Sequence, residues 1–147
     1  MKIPAIILAG GLGTRLKKIS NEKPKSLMPL GNGVFIDFLI ERLKLNKVSK
    51  IFISLHYKSE LFIEHLNEMN YGIDIVPIIE PKPLGTGGAI SFVLQNTEIH
   101  SPFFVINGDT ISNIVLEKMY HKFKNSHLNA MIGLSFIKNA SRYGTIK

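Results

Sequence analysis

Cysteine is missing from all 147 residues, and that absence removes both disulfides and thiolate chemistry. The chain also lacks any apolar stretch near the roughly 20 residues needed to span a bilayer. Met1-Lys2 followed by the run Ile3 to Ala9 has the start of a signal peptide, but Pro4 interrupts it and Gly10-Gly11 follows where a cleavage site would stand. These absences point to a cytoplasmic chain with no membrane partner. No internal repeat, low-complexity tract or interdomain linker is visible, and the five histidines are scattered without metal-ligand spacing. His65, on an apolar helix face, reads as a core residue. A P-loop needs Gly-x-x-x-x-Gly-Lys-Ser/Thr, and no such run occurs.

What is present is ordinary in bulk and uneven in detail. Apolar residues make up 45% and charged residues 20%, which suits one globular domain with one core. The net charge of +7 is not spread evenly. Residues 1–50 hold ten Lys/Arg against three Asp/Glu, while residues 51–147 hold eight of each. A positive field over the first third would steer a polyanion. Lys17, Lys18, Lys44, Lys47 and Lys50 are equally compatible with a solvated basic face. Nucleic acid is disfavoured as the partner, because Phe35, Phe38 and Phe52 fall at expected core positions and do not interleave with the cations.

The patterning alternates strand and helix. Strands are expected at 3–9, 51–55, 73–79, 103–106 and 128–137. Between them, helical spacing places Phe35, Phe38, Leu39 and Leu43 on one face, and Leu61, Phe62, His65, Leu66 and Met69 on another. Ser59 is the expected cap of that second helix and Gly72 its terminator. A helix over 87–96 turns Ala89, Ile90, Val93 and Leu94 inward, and another begins at Ser112. Such alternation implies a mostly parallel sheet covered on both faces, a Rossmann-like three-layer α/β/α arrangement. Ligands of such sheets sit beyond the carboxyl ends of the strands.

The turn after the first strand holds Gly10, Gly11 and Gly13, followed by Thr14-Arg15 and then Pro24-Lys25-Ser26. Bare glycines let backbone N–H groups approach phosphate, and the two cations add full charges. A dinucleotide fingerprint starts at Gly11 and Gly13 but fails at Leu16. A plain flexible turn is the remaining alternative.

Gly-Gly-Leu-Gly-Thr-Arg-Leu, then Lys-Pro-Lys-Ser-Leu, resembles the opening motif of the sugar-phosphate nucleotidyltransferases, or nucleotide-sugar pyrophosphorylases. Glu80-Pro-Lys-Pro-Leu-Gly-Thr-Gly-Gly-Ala89, Asn107-Gly-Asp-Thr110 and Arg142-Tyr-Gly144 follow in that family's order, so the likeness covers residues 1–147 as one nucleotidyltransferase domain, its amino-terminal, nucleotide-binding part. The version Leu-Gly-Thr-Gly-Gly-Ala is most similar to guanylyltransferases acting on D-glycero-α-D-manno-heptose 1-phosphate or mannose 1-phosphate.

The resemblance implies transfer of a nucleotide from a triphosphate, GTP favoured, to a sugar 1-phosphate, with release of pyrophosphate. Leu8, Ala9, Gly10, Gly11, Gly13, Thr14 and Arg15 would hold the nucleotide. Glu80, Gly85, Thr86 and Gly88 would read the base and ribose. Arg15, Lys25 and Asp109 would be catalytic, with Lys25, Asn107, Tyr143 and Gly144 toward the sugar phosphate. Asp109 would ligate Mg²⁺, unless it serves as a helix cap. Family domains continue past Lys147 and bring a later lysine and a second aspartate. A catalytically incomplete nucleotide-binding fragment or remnant is therefore the alternative reading, and a homo-oligomer is compatible with either.

Overall fold

A computed structural model describes residues 3–11 and 23–138. Two compact units divide the chain, Met1–Ser112 and Asn113–Lys147.

The first unit is built on four parallel strands, β1 (Ala5–Leu8), β4 (Ile51–Leu55), β5 (Ile75–Ile79) and β6 (Phe104–Asn107), in the spatial order β5-β4-β1-β6. The register sets Ile6 opposite Phe52 on one side and Val105 on the other. Between β1 and β4 lie a short 3₁₀ turn (Lys25–Leu27), a small antiparallel ribbon of β2 (Pro29–Leu30) and β3 (Gly33–Val34), and helix α1 (Phe35–Leu45). Helix α2 (Ser59–Glu68) joins β4 to β5, and α3 (Gly85–Gln95) joins β5 to β6.

The strand order fixes the layers. Parallel crossovers are right-handed. The steps β1 to β4 and β4 to β5 run in one direction, and the step β5 to β6 runs back. Helices α1 and α2 therefore cover one face and α3 the other. On the α3 side, Ile6 and Phe52 bury with Val93, flanked by Val76, Ile78, Ile90 and Leu94. Ala5, Ile7, Ile51, Ile53 and Leu55 alternate to the opposite face and are fully buried. The resulting three-layer arrangement is the Rossmann-like fold expected from the sequence.

Several local expectations need correction. In α1 the buried stripe is Ile36, Leu39, Ile40 and Leu43, while Phe38 is 45% exposed. Apolar residues occur all round this helix, so periodicity alone did not select the face. Only Phe62 is fully buried in α2. The cap of α2 is Lys58, in the left-handed region at φ +52, and Ser59 is the first helical residue. Gly72 (φ +66) turns the chain toward β5 and does not end the helix, which stops at Glu68 with Met69 extended. Its N–H is accepted by the Asn70 side chain, an Asx-type turn.

Polar side chains tie α1 to α2. Asp37 Oδ2 accepts the Val34 N–H at 2.9 Å. Its Oδ1 accepts from Tyr71 Oη at 2.6 Å and lies 2.7 Å from His65 Nε2. His65 is thus structural, as its place on the helix suggested.

In the second unit, α4 spans Leu116–Lys124 and begins later than expected from Ser112. No strand is assigned over 128–137, contrary to expectation. Ile132, Leu134 and Phe136 do alternate, but they are 80%, 59% and 96% exposed. A ladder needs a neighbouring strand to pair with, and none pairs with this segment among the described residues. No helix among the described residues is long and apolar enough to cross a membrane.

Candidate active site

Strand β1 is paired on both sides, with β4 and with β6. The chain leaves β1 toward β4 and returns to β6 only after β5 and α3, so the topology switches between β1 and β6. The crevice beyond the carboxyl ends of these two strands is where such sheets hold ligands.

Leu8 and Ala9 anchor one wall. The Leu8 carbonyl accepts the Gly108 N–H at 2.8 Å, and the Ala9 N–H donates to the Ser54 carbonyl at 2.9 Å. The turn that follows is therefore fixed to both neighbouring strands. A Cβ on Gly10 would lie 2.8 Å from Glu80 Oε1, so any other residue there must displace that carboxylate. Gly11 is exposed, and a Cβ there would meet nothing within 4 Å. Gly13, Thr14 and Arg15 lie outside the described residues, as do Tyr143 and Gly144.

Glu80 is the centre of the second wall. It is 5% exposed and fully used. Its Oε1 accepts from Ser54 Oγ at 2.7 Å, and its Oε2 accepts the Leu84 N–H at 3.1 Å. Its backbone N–H extends the sheet to the Leu55 carbonyl, and its own carbonyl lies 3.1 Å from His56 Nδ1. One carboxylate thus joins the end of β4, the Gly10 turn and the approach to α3. Gly85, at φ +70, makes the bend into α3. Gly85, Thr86 and Gly87 open the helix exposed, with no acidic side chain in its first turn. The free amides there carry the positive end of the helix dipole.

Lys25 and Asp109 pair beyond the carboxyl ends of β1 and β6. Lys25 Nζ stands 3.5 Å from Asp109 Oδ2, with the side chains 29% and 50% exposed. Thr110 Oγ1 donates to Asp109 Oδ1 at 3.2 Å. Pro24, buried and fixed at φ −56, begins the 3₁₀ turn that presents Lys25. Asn107 ends β6 exposed, and its carbonyl accepts the Thr110 N–H at 3.4 Å. The helix-cap role for Asp109 is excluded, since α4 begins at Leu116 with Val115 as its cap. One half-exposed carboxylate fits a hard cation that keeps water and phosphate oxygens for its other positions. No cluster of three or more His, Asp or Glu exists among the described residues, so no dedicated cage surrounds it.

Sequence reasoning missed two residues that hold these walls in place. Ser54 is fully buried within an otherwise apolar strand, and a polar residue in such a run must find a partner. Ser26, 4% exposed, donates its hydroxyl to the Gly108 carbonyl at 2.5 Å. The basic surplus of the first fifty residues is also not all at the crevice. Lys44 pairs with Glu41 and the Tyr71 carbonyl, and Lys50 pairs with Asp74, toward the amino ends of the strands.

Residues 4–147 match the nucleotidyl transferase family. A D-glycero-alpha-D-manno-heptose 1-phosphate guanylyltransferase of Campylobacter jejuni is 37% identical over 142 residues, which are 97% of this chain and 62% of the relative. Its namesake in Aneurinibacillus thermoaerophilus is 34% identical over 97% of this chain and 61% of its own length. Among solved structures, HddC from Yersinia pseudotuberculosis complexed with GMP-PN superposes with a TM-score of 0.76 at 37% identity, covering 84% of this chain and 55% of that one. The chain therefore spans about three fifths of the length of these two relatives. Glycine turn, crossover topology and shared sequence agree, and the chain belongs to the nucleotidyl transferase family.

Proposed function

We propose that the crevice binds a nucleoside triphosphate, GTP by preference, and transfers its nucleotidyl group to a sugar 1-phosphate, a heptose or mannose 1-phosphate first among them. The observation that carries this reading is the facing of Lys25 and Asp109 at 3.5 Å beside the bare Gly10–Gly11 turn. A phosphate oxygen of the sugar phosphate attacks the α-phosphorus. The new P–O bond forms as the bond to the β-phosphate breaks, and pyrophosphate leaves. The nucleophile comes from the substrate, so alignment and neutralisation of charge are what the protein must supply.

Lys25 draws the two anionic groups together, and Arg15 meets the departing pyrophosphate. Losing one such donor costs roughly 3–4 kcal/mol in the barrier, about a hundredfold or more in rate. Asp109 would hold Mg²⁺, which neutralises phosphate charge when bound. The first turn of α3 offers amides to the ribose and base. Glu80, buried and hydrogen-bonded through both carboxylate oxygens, holds the segment that leads to those amides. Asn107, Tyr143 and Gly144 are assigned to the sugar side.

The test is a thermal-shift panel of GTP, CTP, UTP, ATP and dTTP with Mg²⁺, followed by a pyrophosphate-release assay with sugar 1-phosphates. GTP should raise the melting temperature most, because selective binding to the native state stabilises it. Arg15→Ala should remove most of that shift. Binding without release would identify a module that holds nucleotide but does not turn over. No shift with any nucleotide would overturn the reading.

A further inference from the structure

We propose that Ser26 is a positioning residue that sets the spacing of Lys25 and Asp109 for a metal-bound triphosphate. The inference rests on the nucleotide reading above and adds a residue to it. Gly108 is held at both of its peptide groups: its N–H donates to the Leu8 carbonyl at 2.8 Å, and its carbonyl accepts from Ser26 Oγ at 2.5 Å. The first bond fixes Gly108 to the end of β1. The second restrains the plane of the peptide that leads into Asp109, which limits rotation about the glycine.

The other end of the bond is equally constrained. Ser26 is 4% exposed within the 3₁₀ turn, where the Leu27 N–H donates to the Pro24 carbonyl at 2.9 Å. Ser26 follows Lys25, and Gly108 precedes Asp109. A buried hydrogen bond between two residues thus fixes the outward separation of their neighbours. The half-exposed Lys25–Asp109 ion pair is too weak to do this alone. The packing leaves little slack, since a Cβ on Gly108 would lie 3.1 Å from Ser26 Oγ.

The measurement is the affinity of the full chain for a non-hydrolysable GTP analogue, in excess Mg²⁺ and in EDTA. The ratio of the two affinities is the readout, and circular dichroism and melting temperature without ligand report the fold. In Ser26→Ala the Mg²⁺ enhancement should fall roughly tenfold, the scale typical for partners that orient a metal ligand. The affinity in EDTA should change less than twofold. Ser26→Cys, which keeps the volume and a weak donor, should fall between, and it decides the matter should the alanine variant not fold. An enhancement equal to wild type in either folded variant, even with a lowered melting temperature, overturns the assignment and leaves Ser26 as a structural bond. Failure of the wild type to bind the analogue in Mg²⁺ sinks the nucleotide reading, and this one with it.

Discussion

Lys25 Nζ and Asp109 Oδ2 lie 3.5 Å apart, joined across 84 residues of sequence by the return of the chain to β6 beside β1. In the free protein each neutralises the other. On the proposed function, phosphate would take the lysine and a bound cation would take the carboxylate. Lys25→Ala should therefore leave the unliganded melting temperature almost unchanged, because an exposed pair adds little to stability. Nucleotide affinity should fall by tenfold or more in the same variant, on the order of one charge-assisted bond. Asp109→Asn should instead abolish the difference between titrations in Mg²⁺ and in EDTA. Calorimetric titration separates the two outcomes.

Gly10 meets Glu80, and substitution at either position should be felt at the other. A methyl at Gly10 meets Glu80 Oε1 at 2.8 Å, and that carboxylate is held by Ser54 and Leu84. Gly10→Ala should cost about 1–3 kcal/mol of stability, as overpacking does, and denaturant melts will read it. Glu80→Gln keeps the volume but can offer only one accepting oxygen. One of the bonds to Ser54 and Leu84 should then be lost, and the same denaturant melts should show a lower stability.

Gly108→Ala should be the more damaging glycine substitution. There the added Cβ meets the Leu8 carbonyl oxygen at 2.9 Å and the Ala9 Cβ at 3.0 Å, in the rigid end of the central strand. Backbone cannot rotate aside as a side chain can. The melting temperature should fall by several degrees and further than in Gly10→Ala, toward the upper end of the about 1–3 kcal/mol that overpacking costs.

Acid should loosen the tie between α1 and α2. Burial opposes the charge on Asp37, but hydrogen bonds from His65, Tyr71 and the Val34 N–H outweigh it and hold the carboxyl below the ordinary range. A carboxyl lowered in the folded state stabilises fully above its unfolded value, and that contribution is lost as pH falls through the folded value. Stability should thus decline below about pH 4, the unfolded value of an aspartate. Burial, together with the hydrogen bond and charge of Asp37, pushes the Tyr71 hydroxyl the other way, upward, so it stays a donor throughout. Asp37→Asn should flatten this part of the acid limb in urea melts at pH 3–6, and a limb unchanged from wild type would contradict the assignment.

Much of this was legible because local pattern and global topology agreed. The run Ile51–Leu55 is a strand at those very residues, and Ala89, Ile90, Val93 and Leu94 face the core as their spacing indicates. The glycine turn and Asp109 could be placed at strand ends before any geometry was known. Phe38 shows where pattern stops: in a helix apolar on several faces, the sheet it packs on selects Ile36 and Ile40 instead. Ile132, Leu134 and Phe136 alternate like a strand, yet pairing is a property of two segments and one sequence window holds only one. Ser26 escaped notice for a similar reason. Its partner Gly108 is 82 residues away, and nothing local to either residue announces the bond.

The opening turn of α3 has a consequence of its own. Gly87, where an added Cβ would meet nothing within 4 Å, stands where alanine would make a firmer helix, by about 1 kcal/mol in a helix interior. The amides of this exposed first turn therefore belong to a weakly wound end of the helix. A bound nucleotide would supply the hydrogen-bond acceptors that this turn lacks, so recognition and local winding become one event. Deuterium uptake at these amides would then be quick in the empty protein and slow once the crevice is filled.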